Sequence, residues 1–297
     1  MAKRGDPIDG VMLFDKPKGM SSNWAMQHVR RLVNAQKAGH TGTLDPMATG
    51  LLPLCFGNAT KFSADLLNAD KGYVARVELG SITDTGDADG EVLESFPVNV
   101  TAEELSAAAG KFRGEIEQVP PMYSALKHNG RCLYQLARRG ETVERETRRV
   151  TVKELIVCDF DGKSFTMACL VSKGTYIRVL AEDIGRALGC GAHLTALRRT
   201  RVGDLTLDKA VTLEELEKTD SIEAARQKML GADTLLSTLE AVELDEVQMK
   251  RFMSGQRLAL RLTMRGRVRV YGPERMLLGT AQVGDRGVLE PERLIAH

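Results

Sequence analysis

The stretch GHTGTLDPMATGLLPLCFGNATK, residues 39 to 61, holds glycines at Gly39, Gly42, Gly50 and Gly57, two prolines and a single carboxylate, Asp45. Glycine and proline at this density predict an irregular segment from Gly39 to Gly57, too broken for a long regular element. Asp45-Pro46 is a turn initiator, and an isolated Asp-Pro is ordinarily nothing more. The surrounding glycines and small threonines change that reading, because such a loop lets backbone approach a bound group closely. The run supplies no second acid to share a proton or a metal.

Outward from this loop the pattern becomes periodic. Ahead of it, residues 22 to 34 predict an amphipathic helix capped by Ser21 or Ser22, with Ala25, Val29, Leu32 and Val33 on one face. Behind it, Tyr73 to Leu79 alternates as a half-buried strand does. Thr101 with Glu104 makes a capping box that opens a helix through about Phe112. Ser164 to Val171 reads as a strand. Tyr176 to Leu188 reads as a helix with Ile177, Leu180, Ala181, Ile184 and Leu188 along its apolar stripe. Thr212 and Glu215 start an acidic helical region. Beyond about residue 240 the texture changes to short strand-like runs, Arg267 to Tyr271 and Leu277 to Val283. Helices and strands alternate without regular βαβ spacing, which predicts an α+β protein.

The 297 residues allow one large domain or two, and no apolar run approaches a membrane span. The N-terminal MAKRGDPIDG is basic without a following apolar stretch, so no signal peptide is expected and the location is read as cytoplasmic. Cys55, Cys132, Cys158, Cys169 and Cys190 form no CxxC pair, which argues for reduced thiols rather than a zinc site or a disulfide framework. Net charge is only +1, but it is unevenly spread. Thr212 to Glu246 carries ten acids against three bases, Arg257 to Arg275 six arginines against one acid, and Lys127 to Arg149 seven bases against three acids. Basic patches of this kind suit phosphate. Asp84, Asp87 and Asp89 before Gly90 imitate half a calcium loop, but Thr85 and Phe96 occupy its first and closing ligand positions, so the pattern fails.

The Gly39 to Pro53 run closely resembles the catalytic motif of TruB-family pseudouridine synthases. The resemblance continues in Asp15-Lys16-Pro17-Lys18-Gly19-Met20-Ser21-Ser22, in Lys71-Gly72-Tyr73 and in Thr83 to Gly90. It reappears in Gln118 to Lys127, in Ser172 to Arg178 and in Gly189 to Leu194. These blocks lie in the family's order over about Val11 to Arg199. The resemblance implies a pseudouridine synthase fold with a mixed, mostly antiparallel sheet and a small C-terminal PUA-like β-barrel domain. The catalytic domain would span residues 1–240, with an RNA-binding insertion at about 127–149, and the C-terminal domain residues 241–297.

The implied activity is conversion of uridine to pseudouridine at position 55 in the tRNA T-loop. The N1–C1′ bond breaks, the uracil turns and C5 is joined to C1′, with no net redox change and no cofactor or metal required. By the same resemblance Asp45 is the catalytic carboxylate, acting as nucleophile or on a ribose proton. Arg178 pairs with it and lowers its pKa, while Asp87 braces Arg178. Tyr73 would stack on the flipped base, Tyr176 and Leu197 would complete the pocket wall, and His40 would fill space vacated by flipped nucleotides. Lys127, Arg131, Arg138 and Arg139 would grip RNA with Tyr134, and Lys16, Lys18, Arg30 and Arg31 would extend that surface. The expected partner is tRNA, through its T-arm and elbow, bound by a monomer. A tRNA-binding folding chaperone, in which catalysis is secondary, is the alternative. A guide-RNA-dependent synthase and an aspartyl hydrolase are less consistent with the residues.

Overall fold

In a computed structural model, residues 5 to 295 are described, so the first four residues of the basic N-terminus lie outside the described residues. Ten strands form one sheet: β1 Gly10–Lys16, β2 Ala38–His40, β3 Thr49–Phe56, β4 Lys71–Leu79, β5 Gly114–Gln118, β6 Arg148–Cys158, β7 Ser164–Val171, β8 Ala192–Val202, β9 Leu205–Thr206 and β10 Val211–Thr212. Their order is β10-β1-β3-β8-β4-β7-β6-β5, with β2 on β3 and β9 on β8. Only β1/β10 and β3/β8 run parallel, so the sheet is mixed and mostly antiparallel.

Helices pack against it. Helix α1 (Ser22–Leu32) is capped by Ser21, whose hydroxyl accepts from the Trp24 N–H, and buries Ala25, Met26 and Val29. Helix α2 (Ala102–Gly110) starts at the Thr101/Glu104 capping box. Helix α3 (Ile177–Ala187) buries Ile177, Leu180, Ala181 and Ile184. These follow the sequence periodicity closely, as does β4 with its alternating burial.

Strand β3 corrects the expectation of an irregular Gly39 to Gly57. Leu52, Leu54 and Phe56 enter the core beneath α1 and α3, while Leu51 and Cys55 enter a second core with Phe62, Leu66 and Leu236. A strand buried on both faces shows no alternation. Pro53 is tolerated where the neighbour changes: its carbonyl accepts from Thr41 N–H just past the β2 pairing, and β8 takes over at Thr49 and Gly50. Gly50 has φ +100°, and a Cβ there would lie 2.2 Å from the Arg199 carbonyl oxygen, so only glycine fits.

A separate open sheet follows, β11 Glu240–Glu243, β12 Leu258–Ala259, β13 Gly266–Tyr271, β14 Leu277–Val283 and β15 Val288–Leu294, ordered β11-β13-β14-β15-β12. With helix α4 (Glu246–Met253) it has its own core around Phe252, Val268 and Leu289. Lys61 Nζ donates to the Leu294 carbonyl at 2.8 Å, and Tyr271 donates to Asp233 at 2.8 Å. Arg267 pairs with Asp65 and Glu292. The basic C-terminal run is thus partly engaged in internal pairs, leaving fewer free cations than its composition suggests.

Candidate active site

The loop between β2 and β3 lies beside the β4/β8 ladder and is tied down residue by residue. Ser22, buried at the start of α1, accepts from the Leu44 N–H at 2.7 Å and donates to the Leu44 carbonyl at 2.9 Å. The Asp45 carbonyl accepts from Ala48, and the Pro46 carbonyl from Gly19. Arg199, 1% exposed, donates to Leu51 at 2.7 Å and to the carbonyls of Gly42 and Thr43 at 3.3 and 3.5 Å. An irregular loop has no ladder for its carbonyls, so buried side chains supply the donors.

Lys16 does the same from the other side. It was expected on an RNA-facing surface, but it is 0% exposed and Nζ donates to Pro17 at 2.9 Å, Met20 at 2.8 Å and Pro46 at 3.4 Å. Burial pushes its ammonium down to about 8, against the pull of Asp45. The two turns it joins aim carbonyls inward, which draws the lysine away from solvent.

Asp45 Oδ2 lies 3.0 Å from Arg178 Nε, and Asp87 Oδ2 lies 3.8 Å from the same nitrogen. Arg178 Nη1 donates to the Thr85 carbonyl and Nη2 to the Tyr123 carbonyl, both at 2.6 Å. The guanidinium is thereby engaged on every side, which suits its planar fork. Asp87 also accepts from Thr85 Oγ1 at 2.6 Å and Asp89 N–H at 3.1 Å, so the acidic turn is organised around Arg178. Arg178 does lower the Asp45 pKa, as expected, but burial outweighs it and the net direction is upward. A nearby Asp87 adds to the rise.

Asp45, Tyr73, Tyr176, Arg178 and Leu197 line one cleft of about 330 Å³, which Gly42, Lys71, Ser124 and Arg199 also line. Tyr73 sits opposite Arg199 on the β4/β8 ladder. Burial raises its phenol pKa, opposed by Arg199. Asp87 and Lys16 stand behind the cleft. His40 ends β2 outside the lining, with Nδ1 buried and unpartnered, and burial holds its imidazole below the ordinary value. Lys127, Arg131, Arg138 and Arg139 are exposed on the segment that leaves the cleft rim at Ser124. It folds as a short hairpin, Lys127–His128 with Arg131–Cys132, and a helix Leu133–Ala137. Arg138 lies over the Tyr134 ring at 5.6 Å.

The sequence description of the TruB family pseudouridylate synthase N-terminal domain matches residues 30–177. Two C-terminal descriptions, tRNA pseudouridylate synthase B C-terminal domain and Pseudouridine synthase II TruB, C-terminal, match residues 178–248 and 241–295. The chain is 55% identical over 299 residues to the tRNA pseudouridine synthase B of Cupriavidus metallidurans, across 97% of this chain and 94% of that protein. The chain belongs to the TruB family of pseudouridylate synthases. The tRNA pseudouridine synthase B of Ralstonia nicotianae is 57% identical, over 97% of this chain and 94% of its own length. The TruB fold seen here also resembles a chain in a solved Cbf5-Nop10-Gar1 complex, with TM-score 0.74 and 25% identity over 96% of this chain and 84% of that one. The architecture is therefore the pseudouridine synthase fold with a PUA-like C-terminal domain, its sheet an open half-barrel. As a TruB enzyme the protein is an isomerase that makes pseudouridine.

Sequence reading missed Ser22 and Arg199 as site residues. Both act on main-chain groups far away in sequence, and a buried polar residue beside a glycine-rich loop is the one signal that could have flagged them.

Proposed function

We propose that the substrate is tRNA and that the enzyme isomerises the T-loop uridine at position 55 in the cleft between Asp45 and Tyr73. The observation that carries this reading is the 3.0 Å Asp45–Arg178 pair facing a cleft sized for one nucleotide, in a chain of this family. The relatives named above are tRNA pseudouridine synthases over nearly their whole length. Asp45 is the catalytic carboxylate, as nucleophile or as base toward a ribose proton. Arg178 orients it, Tyr73 stacks on the extruded uracil, and Tyr176 and Leu197 form the wall. His40 and Asp87 serve in supporting positions, and Lys16 holds the Asp45 turn.

The insertion at about 127–149 grips the T-arm and elbow. Lys127, Arg131, Arg138 and Arg139 make no salt bridge among the described residues, which leaves them available to phosphates. Residues 1–240 form the catalytic unit and 241–297 an accessory RNA-contacting unit of a cytoplasmic monomer. The test is pseudouridine formation on an unmodified tRNA transcript without added factors, comparing wild type with Asp45→Asn. Product at the T-loop uridine from wild type alone is the expected result. Binding and refolding of tRNA by both proteins, with product from neither, would put the chaperone reading in its place.

A further inference from the structure

Gln118 ends β5, 2% exposed, and is not part of the cleft lining. Its side-chain amide meets the backbone of Tyr176 as another strand would: Oε1 accepts from the Tyr176 N–H at 3.0 Å, and Nε2 donates to the Tyr176 carbonyl at 3.3 Å. Tyr176 immediately precedes the first residue of α3 and has no side-chain cap. Two residues on is Arg178. Five residues beyond Gln118, the Tyr123 carbonyl accepts from Arg178 Nη2 at 2.6 Å. The Tyr123 hydroxyl donates to Asp84 Oδ2 at 3.1 Å, on the turn whose Thr85 carbonyl takes Arg178 Nη1.

We infer that Gln118 is a positioning residue for the Asp45–Arg178 pair, and that residues 118 to 123 are the strap through which RNA held by the insertion orients that pair. The strap fixes both ends of the arginine, its backbone through Gln118 and Tyr176 and its guanidinium through Tyr123. Pro120 and Pro121 stiffen the connection between them. The strap then runs directly into the insertion, whose root is bonded back to it by Tyr134 N–H on the Ser124 carbonyl at 3.0 Å. A displacement of the insertion root is therefore carried to Arg178 rather than absorbed. An amide serves here and an ionised carboxylate does not, because the Tyr176 N–H needs an acceptor and its carbonyl a donor on the same planar group.

The inference rests on the tRNA reading above. Single-turnover pseudouridine formation and tRNA affinity are measured for wild type, Gln118→Met, Gln118→Glu and Tyr123→Phe on an unmodified transcript. Wild-type inactivity would count against the substrate reading, whereas an active wild type lets the variants test the strap. Gln118→Met should lose about 10- to 100-fold in the isomerisation rate, the scale of an ångström misplacement, with affinity within about threefold. A glutamate at this position restores the missing donor only when protonated. The Gln118→Glu rate, taken relative to wild type, should therefore climb as pH falls from 8 to 6, while the Gln118→Met ratio stays flat. Arg148 across the ladder, Arg178 on α3, and Asp45 and Asp87 beyond it are unchanged in both variants, so the ratio isolates the introduced carboxyl. Tyr123→Phe removes only a hydroxyl bonded at the surface and folds whatever the fate of Gln118→Met. It should lose a few-fold in rate and nothing in affinity. Rates within twofold of wild type for Gln118→Met, or for Tyr123→Phe should the former not fold, would overturn the inference, as would equal pH ratios for the two Gln118 variants.

Discussion

Replacing Asp45 by asparagine should abolish isomerisation and at the same time stabilise the fold near neutral pH. Arg178 lies between two carboxylates, Asp45 at 3.0 Å and Asp87 at 3.8 Å, so the buried cluster carries an excess negative charge when both acids are ionised. Asparagine keeps an oxygen that accepts from Arg178 Nε and forfeits the charge assistance, about 1 kcal/mol, together with the attraction to Lys16. Against this stands the relief of desolvation and of repulsion from Asp87, which together outweigh the arginine, since the Asp45 pKa is raised overall. About a third of the Asp45 side chain, 36%, still meets solvent, so the net gain is discounted to roughly 0.5–1 kcal/mol. That corresponds to about 1–3 °C in Tm for a chain of this size. The sign follows from linkage. With the folded pKa above the unfolded one, the native state holds the proton over the interval between them, so this group's contribution falls as pH rises through it. The stability advantage of Asp45→Asn is therefore full above the folded pKa and shrinks as pH falls toward the ordinary carboxylate value of 3.8. Urea denaturation of both proteins from pH 8 down toward pH 3.8 measures it. An Asp45→Asn protein less stable than wild type at pH 8, or one whose difference does not narrow on acidification, refutes the reasoning.

Ser22→Ala strips Leu44 of both backbone partners, and should cost about 2–4 kcal/mol of stability by denaturant titration together with a loss of rate but not of tRNA affinity. Lys71 Nζ donates to the carbonyls of Leu66, Leu67 and Ala69, and burial pushes it down to about 8 from an ordinary 10.5. Over that interval the unfolded chain holds the extra proton, so wild-type stability gains on the order of 3 kcal/mol relative to Lys71→Met between pH 8 and 10.5. Paired urea titrations at the two ends check this, and an unchanged difference contradicts it. Arg138→Ala with Arg139→Ala should weaken tRNA binding and flatten the plot of log affinity against log salt by about 0.7–0.9 for each phosphate no longer neutralised. An unaltered slope removes these arginines from the interface.

How much of this was legible in the sequence depended on which faces are wet. Helix α1, strands β4 and β7 and helix α3 each keep one face toward solvent or a polar neighbour, so their periodicity survives in the residue order. Strand β3 has a core on either side, and its apolar run Leu51 to Phe56, broken by Pro53, carries no period to read. The charged and aromatic groups of the cleft were identified through family motifs, and the geometry brings Asp45, Tyr73, Tyr176, Arg178 and Leu197 to one place. Lys16 was misplaced because an exposed ammonium is the default for lysine, and only the fold reveals carbonyls waiting for it inside.

The residues that escaped share one physical cause. A loop irregular enough to bring backbone close to a nucleotide gives up the ladder that would satisfy its own carbonyls. Those carbonyls are then met by side chains from elsewhere: Ser22 on Leu44, Arg199 on Gly42 and Thr43 across more than 150 residues, and Lys16 on Pro46. The price is a set of buried cations, of which Lys16 is pushed down to about 8. Buried Lys16 and Arg199 are therefore consequences of the same choice, and Lys16 works against the rise that burial imposes on Asp45. Asp45 is thus presented to the cleft from an open, glycine-rich turn whose carbonyls Lys16 and Arg199 hold, while Arg178, itself in the cleft lining, fixes the carboxylate at 3.0 Å.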